Sequence, residues 1–169
     1  MNQMVEVLIA PQEIERRVKE LAEEIEEALP SPFVVISLLK GAFIFTADLV
    51  RNFRDVELDF MKVESYRGRE KGKTKMTLEP KISLEGKRVL IVDDIFDTGE
   101  SLDFAFRWVK AKGALDVKTC VLLDKEVEKR TSLKPDFVGF RIPDYFVVGY
   151  GLDLDEKFRQ LSYIGYLKE

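Results

Sequence analysis

At 169 residues the chain is expected to form a single domain over residues 1–169, with one substantial core. Hydrophobic residues make up 46% and charged residues 34%, which predicts a globular, soluble protein, and no apolar run approaches the roughly 20 residues of a membrane span. The formal net charge of −4 argues against nucleic acid as the main partner.

Two residue types limit the chemistry and the compartment. The chain has no histidine, so histidine triads and histidine metal sites are excluded, and proton transfer near neutral pH has to use another group with a shifted pKa. Cys120 is the only cysteine, so no internal disulfide can form. Because the N-terminus also lacks the basic start and apolar core of a signal peptide, a cytoplasmic location is expected.

The first half of the chain predicts strands that alternate with helices. A helix begins at Pro11, where proline is tolerated, and its apolar residues recur every three or four positions, as in a helix with one buried face. A second helix is predicted over residues 42–53. The strands predicted around these helices cover residues 4–9, 33–39 and 56–65.

The second half continues the alternation. A charged loop over residues 66–75 and a short return strand at 76–78 precede a buried strand at 88–92 and a helix at 101–112, which Gly113 closes. Further strands are predicted at 117–123, 137–140 and 146–150. This order predicts an α/β fold in which helices cover both faces of a parallel sheet, and ligands of such sheets bind beyond the carboxyl ends of the strands.

The most informative stretch is residues 88–101. Three carboxylates, Asp93, Asp94 and Asp97, follow the apolar run within five residues, in what the pattern indicates is an acidic turn before Thr98-Gly99 and a helix. Backbone N–H groups and the positive end of a helix dipole bind phosphate, and carboxylates can hold ribose hydroxyls, a metal ion or a proton in transit. Carboxylates this close raise one another's pKa unless a cation such as Mg²⁺ compensates.

Other candidates lie at the same predicted edge of the sheet. Lys40-Gly41 ends the second strand, where a lysine and exposed N–H groups could bind pyrophosphate, although a helix-entry turn with a surface lysine explains it equally well. Lys125 ends a later strand within a charged segment, where a solvated lysine is the ordinary interpretation. Phe146 could be plain core, and Arg159 an ordinary surface residue.

The charged loop has its own pattern. Basic residues occupy every second position from 67 to 75, so an extended ribbon would present one basic face. That face would suit a lid over a polyanion, and an exposed mobile loop is the alternative.

Taken together, these segments resemble the hypoxanthine and hypoxanthine-guanine branch of the type I phosphoribosyltransferases, over residues 33–167. The most specific stretches are residues 89–101, 134–140 and 143–153. The resemblance implies a parallel twisted sheet flanked by helices, a small hood from the terminal segments, and a flexible lid that starts at Ser65-Tyr66. It also implies a magnesium-dependent purine salvage enzyme, a homodimer or homotetramer, which converts phosphoribosyl pyrophosphate (PRPP) and a 6-oxopurine to a nucleoside 5′-monophosphate and pyrophosphate.

The resemblance also implies roles for individual residues on the PRPP side. Asp93 and Asp94 would contact the ribose hydroxyls and Mg²⁺, with Asp153 near the same ion. Asp97 would be the general base near purine N7. The 5′-phosphate would lie in the cradle formed by Asp97, Thr98, Gly99, Glu100 and Ser101. Pyrophosphate would be bound by Lys40, Gly41 and Arg159, with a nonproline cis peptide between Leu39 and Lys40.

On the purine side, Lys125 would donate to the 6-oxo group, Phe146 would stack on the base, and the backbone of Val147 would read its edge. Asp153 would lie near the base as well as the ion. The sequence departs from the family pattern in having Asp93 where Glu is common, Ser101 where Thr is common, and a more basic lid. Two alternatives stay open: a preference for xanthine, and a non-catalytic PRPP sensor or RNA-binding regulator on the same fold.

Overall fold

The computed structural model describes residues 4–65 and 74–168. Within these ranges the chain forms nine strands and three helices. In chain order they are β1 Val5–Ile9, α1 Pro11–Ala28, β2 Phe33–Leu39, α2 Phe43–Val50, β3 Val56–Ser65, β4 Thr74–Leu78, β5 Arg88–Phe96, α3 Glu100–Ala111, β6 Asp116–Lys125, β7 Phe137–Ile142, β8 Val147–Val148 and β9 Ile164–Leu167.

The central sheet has six strands in the order β4-β3-β2-β5-β6-β7. All neighbours are parallel except β4, which pairs antiparallel with β3 at the edge. The predicted α/β fold with a parallel sheet is therefore confirmed, with one antiparallel edge strand added. Because the carboxyl ends of β2, β5 and β6 lie side by side, residues that end these strands are brought together.

Two apolar layers bury the faces of this sheet. Helices α1 and α2 pack on one face, where Leu90 and Val92 of β5 point, while α3 packs on the other face against Val89 and Ile91. All four of these residues are inaccessible to solvent. A strand that is buried on both faces is apolar at consecutive positions, which explains the unbroken apolar run that precedes the acidic residues.

A second sheet in the order β1-β9-β8 joins the two ends of the chain. Its strands are antiparallel, and the Glu6 carboxylate accepts hydrogen bonds from Tyr166 Oη and, at 2.8 Å, from Lys168 Nζ. This sheet corresponds to the hood of terminal segments. Among the helices of residues 4–65 and 74–168, none is long and apolar enough to cross a membrane.

Three predicted boundaries are corrected. Strand β5 continues to Phe96, so Asp93 and Asp94 lie in a strand and not in a turn, because β6 pairs with this segment as far as Asp124. Helix α2 is shorter than predicted, since the backbone after Val50 closes a turn. The strand predicted at 146–150 is reduced to β8. The predicted lid begins at Ser65, the last residue of β3, while Tyr66 lies outside the described residues.

Candidate active site

A cleft of about 280 Å³ opens at the carboxyl ends of β2 and β5. Its walls come from the end of β2 with Gly41, from the whole stretch from Asp93 to Leu102, and from Val63 of β3. The predicted PRPP residues Asp93, Asp94, Asp97, Thr98, Gly99, Glu100 and Ser101 all line this cleft. The structure therefore brings the predicted phosphate, ribose and pyrophosphate segments to one place.

The N-terminus of α3 faces this cleft. Gly99 precedes the helix with a left-handed backbone (φ 89°), and its carbonyl accepts the first helical hydrogen bond from Asp103 N at 3.0 Å. The N–H groups of a first helical turn have no intrahelical acceptor, and here no side chain caps them. They are therefore available to an anion, and the helix dipole adds favourable positive potential.

The acidic pair forms the floor of the cleft. Asp93 is buried, and burial, together with the negative charge of Asp94, raises the pKa of its carboxyl group well above the ordinary value. The Asp93 Oδ1 atom accepts a hydrogen bond from Asp94 N at 2.9 Å, and Asp94 Oδ1 accepts one from Ile95 N at 2.8 Å. Both carboxylates are thus fixed by the backbone of their own strand, and the pair would be favoured by a nearby cation.

Two glycines let three segments meet beside this pair. A Cβ atom at Gly41 would overlap Asp94 Oδ2, and one at Gly151 would lie 2.5 Å from the Gly41 carbonyl oxygen. Gly151 also has φ 99°, a region that side chains strongly disfavour. The Leu39–Lys40 peptide bond just before Gly41 is cis, as the resemblance implied. The backbone of residues 39–41 therefore lies between the acidic pair and the segment around Gly151.

The two predicted pyrophosphate cations meet on one carboxylate. Glu156 Oε2 accepts a hydrogen bond from Lys40 Nζ at 2.7 Å, and Glu156 Oε1 accepts one from Arg159 Nη2 at 2.8 Å. Arg159 also donates to the Gly151 carbonyl at 2.6 Å. The sequence analysis did not identify Glu156, because nothing in the local pattern distinguishes it from other surface acids.

The purine-side residues lie at the end of β6 and in the hood. The Lys125 side chain is only 13% exposed, and its Nζ lies 3.2 Å from Asp144 Oδ1 and 4.0 Å from Asp97 Oδ2. Phe146 is 53% exposed, so it is not a core residue and its ring is free to stack on a planar ligand. Val147 is buried in β8. Lys125 is therefore neither a solvated lysine nor remote from the predicted general base.

A second lysine, which the sequence analysis missed, holds the site from behind. Lys129 Nζ donates to the carbonyl oxygens of Phe96 at 2.8 Å, Asp97 at 2.7 Å and Lys125 at 2.6 Å. The same ammonium lies 3.1 Å from Asp124 Oδ1 and over the ring of Phe96. It ties the end of β5 to the end of β6, and only its place in the charged run after Lys125 hinted at a role.

Comparison with known proteins agrees with this geometry. The family model described as "Phosphoribosyl transferase domain" matches residues 5–155. The hypoxanthine-guanine phosphoribosyltransferase of Aquifex aeolicus is 47% identical over 93% of this chain and 91% of its own length. That of Bacillus subtilis is 42% identical over 96% of this chain and 92% of its own length.

The chain belongs to the hypoxanthine-guanine phosphoribosyltransferase family. The fold agrees as well, since a crystal structure of a hypoxanthine-guanine phosphoribosyltransferase from Bacillus anthracis superposes with a TM-score of 0.92 and 37% identity. That match covers 99% of this chain and 100% of the other. The family resemblance and the enzyme class predicted from the sequence are therefore confirmed.

The donor set of this phosphoribosyltransferase fits a magnesium ion that the substrate helps to bind. Among residues 4–65 and 74–168, no group of three or more acidic or cysteine side chains converges as a preformed cage. Mg²⁺ typically takes one or two carboxylates and completes its shell with water and substrate phosphates. Asp93 and Asp94 supply such a pair, whereas Asp153 lies 3.4 Å from Arg159 Nη2 and accepts a hydrogen bond from Glu156 N at 2.9 Å.

Proposed function

We propose that this protein transfers the phosphoribosyl group of PRPP to hypoxanthine, and also to guanine, with Mg²⁺ as cofactor. The products are the nucleoside 5′-monophosphate and pyrophosphate, which is a purine salvage reaction. One observation carries the proposal: a single cleft joins the N-terminus of α3, the acidic pair and Gly41, with Lys125 beside Asp97 at the adjacent strand end. The curated relatives, which are hypoxanthine-guanine phosphoribosyltransferases, support it.

The proposed roles follow the parts of PRPP from its 5′-phosphate to its diphosphate. The N-terminus of α3, with Thr98 to Ser101, would bind the 5′-phosphate, and Asp93 and Asp94 would face the ribose hydroxyls. Lys40, the backbone of Gly41 and Arg159 would bind the diphosphate. When bound, Mg²⁺ would neutralise diphosphate charge, with Asp93 and Asp94 as the proposed protein ligands; Asp153 could join them only by leaving its contacts with Arg159 and Glu156.

The reaction needs modest help from side chains. The bond between C1 of the ribose and the diphosphate oxygen breaks with its electron pair leaving on pyrophosphate, and the ring acquires oxocarbenium-like charge. Carboxylates near the ring would favour that charge, while Lys40 and Arg159 would stabilise the departing anion. A purine ring nitrogen then bonds to C1, and Asp97 accepts the proton that the base loses near N7. A carboxylate suffices because this purine proton is already mildly acidic.

Base preference follows from the donor at the end of β6. A 6-oxopurine presents an acceptor at position 6, which the Lys125 ammonium can satisfy, whereas adenine presents an amino donor there. Phe146 would stack on the ring and the Val147 backbone would read its edge. The relatives named above are hypoxanthine-guanine phosphoribosyltransferases and support neither a xanthine preference nor a non-catalytic regulator, and the carboxylates around the cleft disfavour RNA.

The test of this proposal measures kcat/KM for hypoxanthine, guanine, xanthine and adenine with saturating PRPP and Mg²⁺. A buried polar contact rejects a mismatched analogue by up to about 10⁴-fold, so adenine should be essentially unused. Lys125→Ala should lose most activity on the oxopurines and narrow the gap to adenine. If the wild-type protein uses adenine as well as hypoxanthine, the assigned substrate class is wrong.

The domain organisation, location and oligomeric state of the enzyme are also proposals. We propose one phosphoribosyltransferase domain over residues 1–169, a cytoplasmic location and a homodimer or homotetramer. Light scattering coupled to size-exclusion chromatography would distinguish the monomer from either oligomer. The lid proposed to start at Ser65-Tyr66 would exclude water during the reaction.

A further inference from the structure

A carboxylate of the protein itself forms ion pairs with the two side chains, Lys40 and Arg159, that are proposed to bind pyrophosphate. Each Glu156 oxygen accepts one charged hydrogen bond, from Lys40 Nζ at 2.7 Å and from Arg159 Nη2 at 2.8 Å. A diphosphate would offer the same two cations an anionic oxygen each. Glu156 therefore stands where the proposed ligand would stand, and both cannot use these donors at once.

The backbone around Glu156 is built to hold this position. Asp155, Glu156 and Phe158 have φ values of 51°, 68° and 76°, in the left-handed region that residues with a side chain rarely adopt. Such a backbone persists only where the surrounding structure determines it. Here Glu156 N donates to Asp153 Oδ2 at 2.9 Å and Leu154 exchanges backbone hydrogen bonds with Lys157. The loop thus directs the carboxylate at the two cations.

Glu156 stays charged near neutral pH, yet its ion pairs with Lys40 and Arg159 are weak enough for a ligand to replace them. A glutamate side chain that accepts hydrogen bonds from two cations is an anion at every pH near neutrality. The side chains of Lys40 and Glu156 are 51% and 61% exposed, and ion pairs this open to water are weak. A diphosphate carries more charge than one carboxylate and can therefore take its place.

We propose that Glu156 is an internal competitor for the diphosphate: it occupies Lys40 and Arg159 in the free enzyme, is displaced by PRPP, and returns as pyrophosphate leaves. This role rests on the proposed function of the cleft. Glu156 is a positioning residue, since it holds both cations at the site while no substrate is bound. Its presence lowers the apparent affinity for diphosphate ligands, because only the fraction of enzyme with free cations can bind them.

The test compares two variants of the full-length protein with Mg²⁺ present. Glu156→Gln removes the competing charge. The control, Asp155→Asn, removes one negative charge from the neighbouring residue, whose side chain is exposed and makes no ion pair among the described residues. Calorimetry with pyrophosphate and steady-state KM for PRPP and for hypoxanthine are measured for each. Glu156→Gln should bind pyrophosphate and PRPP about 3- to 10-fold more tightly. Its KM for hypoxanthine should stay unchanged.

A merely structural role for Glu156 predicts the opposite sign, because a loosened loop weakens ligands. No tightening in Glu156→Gln, or equal tightening in Asp155→Asn, overturns the competitor role. Lys40→Ala separates that outcome from failure of the underlying function. If Lys40→Ala weakens pyrophosphate binding while Glu156→Gln leaves it unchanged, the pyrophosphate site stands and only the role of Glu156 falls. If neither variant changes pyrophosphate binding, the pyrophosphate site itself is wrongly assigned.

Discussion

Two segments supply most of the polar groups of the site, and they keep their shapes by different means. The first segment, residues 92–102, is the end of β5 and the start of α3, so regular hydrogen bonding and buried apolar neighbours fix it. The second, residues 149–159, contains no helix and no strand of the two sheets. It is held by its own turns and by contact with Gly41.

This difference suggests separate roles for the two segments, one in the reaction and the other in holding the diphosphate. In the first segment the carboxylates and the helix N-terminus are proposed to contact the substrate directly, and their supports are backbone atoms that most substitutions leave in place. In the second segment the proposed ligand groups depend on a backbone that only particular residues allow. We therefore expect changes in the first segment to alter the reaction, and changes in the second to alter stability and diphosphate affinity.

The largest effect is expected at Asp97, in the first segment. Asp97→Asn keeps the size of the side chain but removes the proton acceptor, so kcat should fall by roughly 10²- to 10⁴-fold while PRPP binding persists. The matched control is Asp144→Asn, which removes the other carboxylate near Lys125 Nζ and should change kcat only a few-fold. Steady-state kinetics measures kcat, and calorimetry measures PRPP binding. If Asp97→Asn keeps a kcat near that of the wild type, Asp97 is not the general base.

The second prediction concerns a substitution that disturbs the second segment, residues 149–159. Gly151→Ala and Gly86→Ala both place a Cβ on a backbone with positive φ, at 99° and 71°, but only the first meets an atom, the Gly41 carbonyl oxygen at 2.5 Å. Gly86→Ala should lower the free energy of unfolding by about 1 kcal/mol, and Gly151→Ala by about 3 kcal/mol. Urea denaturation measures both. Equal losses would mean that the contact between Gly151 and Gly41 does not hold the second segment.

The smallest effect concerns Asp93. Burial raises the pKa of its carboxyl above the ordinary value of 3.8, so the folded protein binds the proton more tightly than the unfolded chain. The contribution of this one group to stability is accordingly fully present below that value and is lost as pH rises through the raised pKa. Without Mg²⁺ and PRPP, Asp93→Asn should therefore be more stable than the wild type at pH 7.

This gain in stability should vanish below pH 4, where the Asp93 carboxyl becomes protonated in the folded and in the unfolded chain. The affinity of the variant for PRPP should be weakened. Thermal denaturation across pH provides the measurement. A variant that is less stable than wild type at pH 7 would show that Asp93 contributes more to the fold than its burial costs.

The same contrast explains what could be predicted from the sequence. The bounds of β2 and β3 agree with the prediction, because an apolar run that is buried on both sides ends where polar residues begin. The end of β5 was placed four residues early, at Val92, because aspartate is depleted in strands. Here pairing with β6 and the needs of the site outweigh that preference. Local patterns thus located the first segment almost completely.

Residues that act through distant partners could not be found this way. Glu156 meets Lys40, which lies 116 positions away, and Lys129 meets Phe96 at a separation of 33. Strand β9 is four residues long, includes a glycine, and exists because it pairs with β1 at the other end of the chain. For Phe146 the sequence allowed both core and ligand contact, and exposure in the fold excludes only the first.

The hydrogen bonds of Lys129 have a consequence for how this enzyme can change. Its ammonium sets the spacing of two strand ends by binding carbonyl oxygens, which every residue type possesses. The backbone at position 125 is therefore held by a contact that does not depend on the type of side chain there. The proposed base recognition would in this sense be modular: a different residue at 125 would present a different side chain to the purine from the same backbone position, which Lys129 holds.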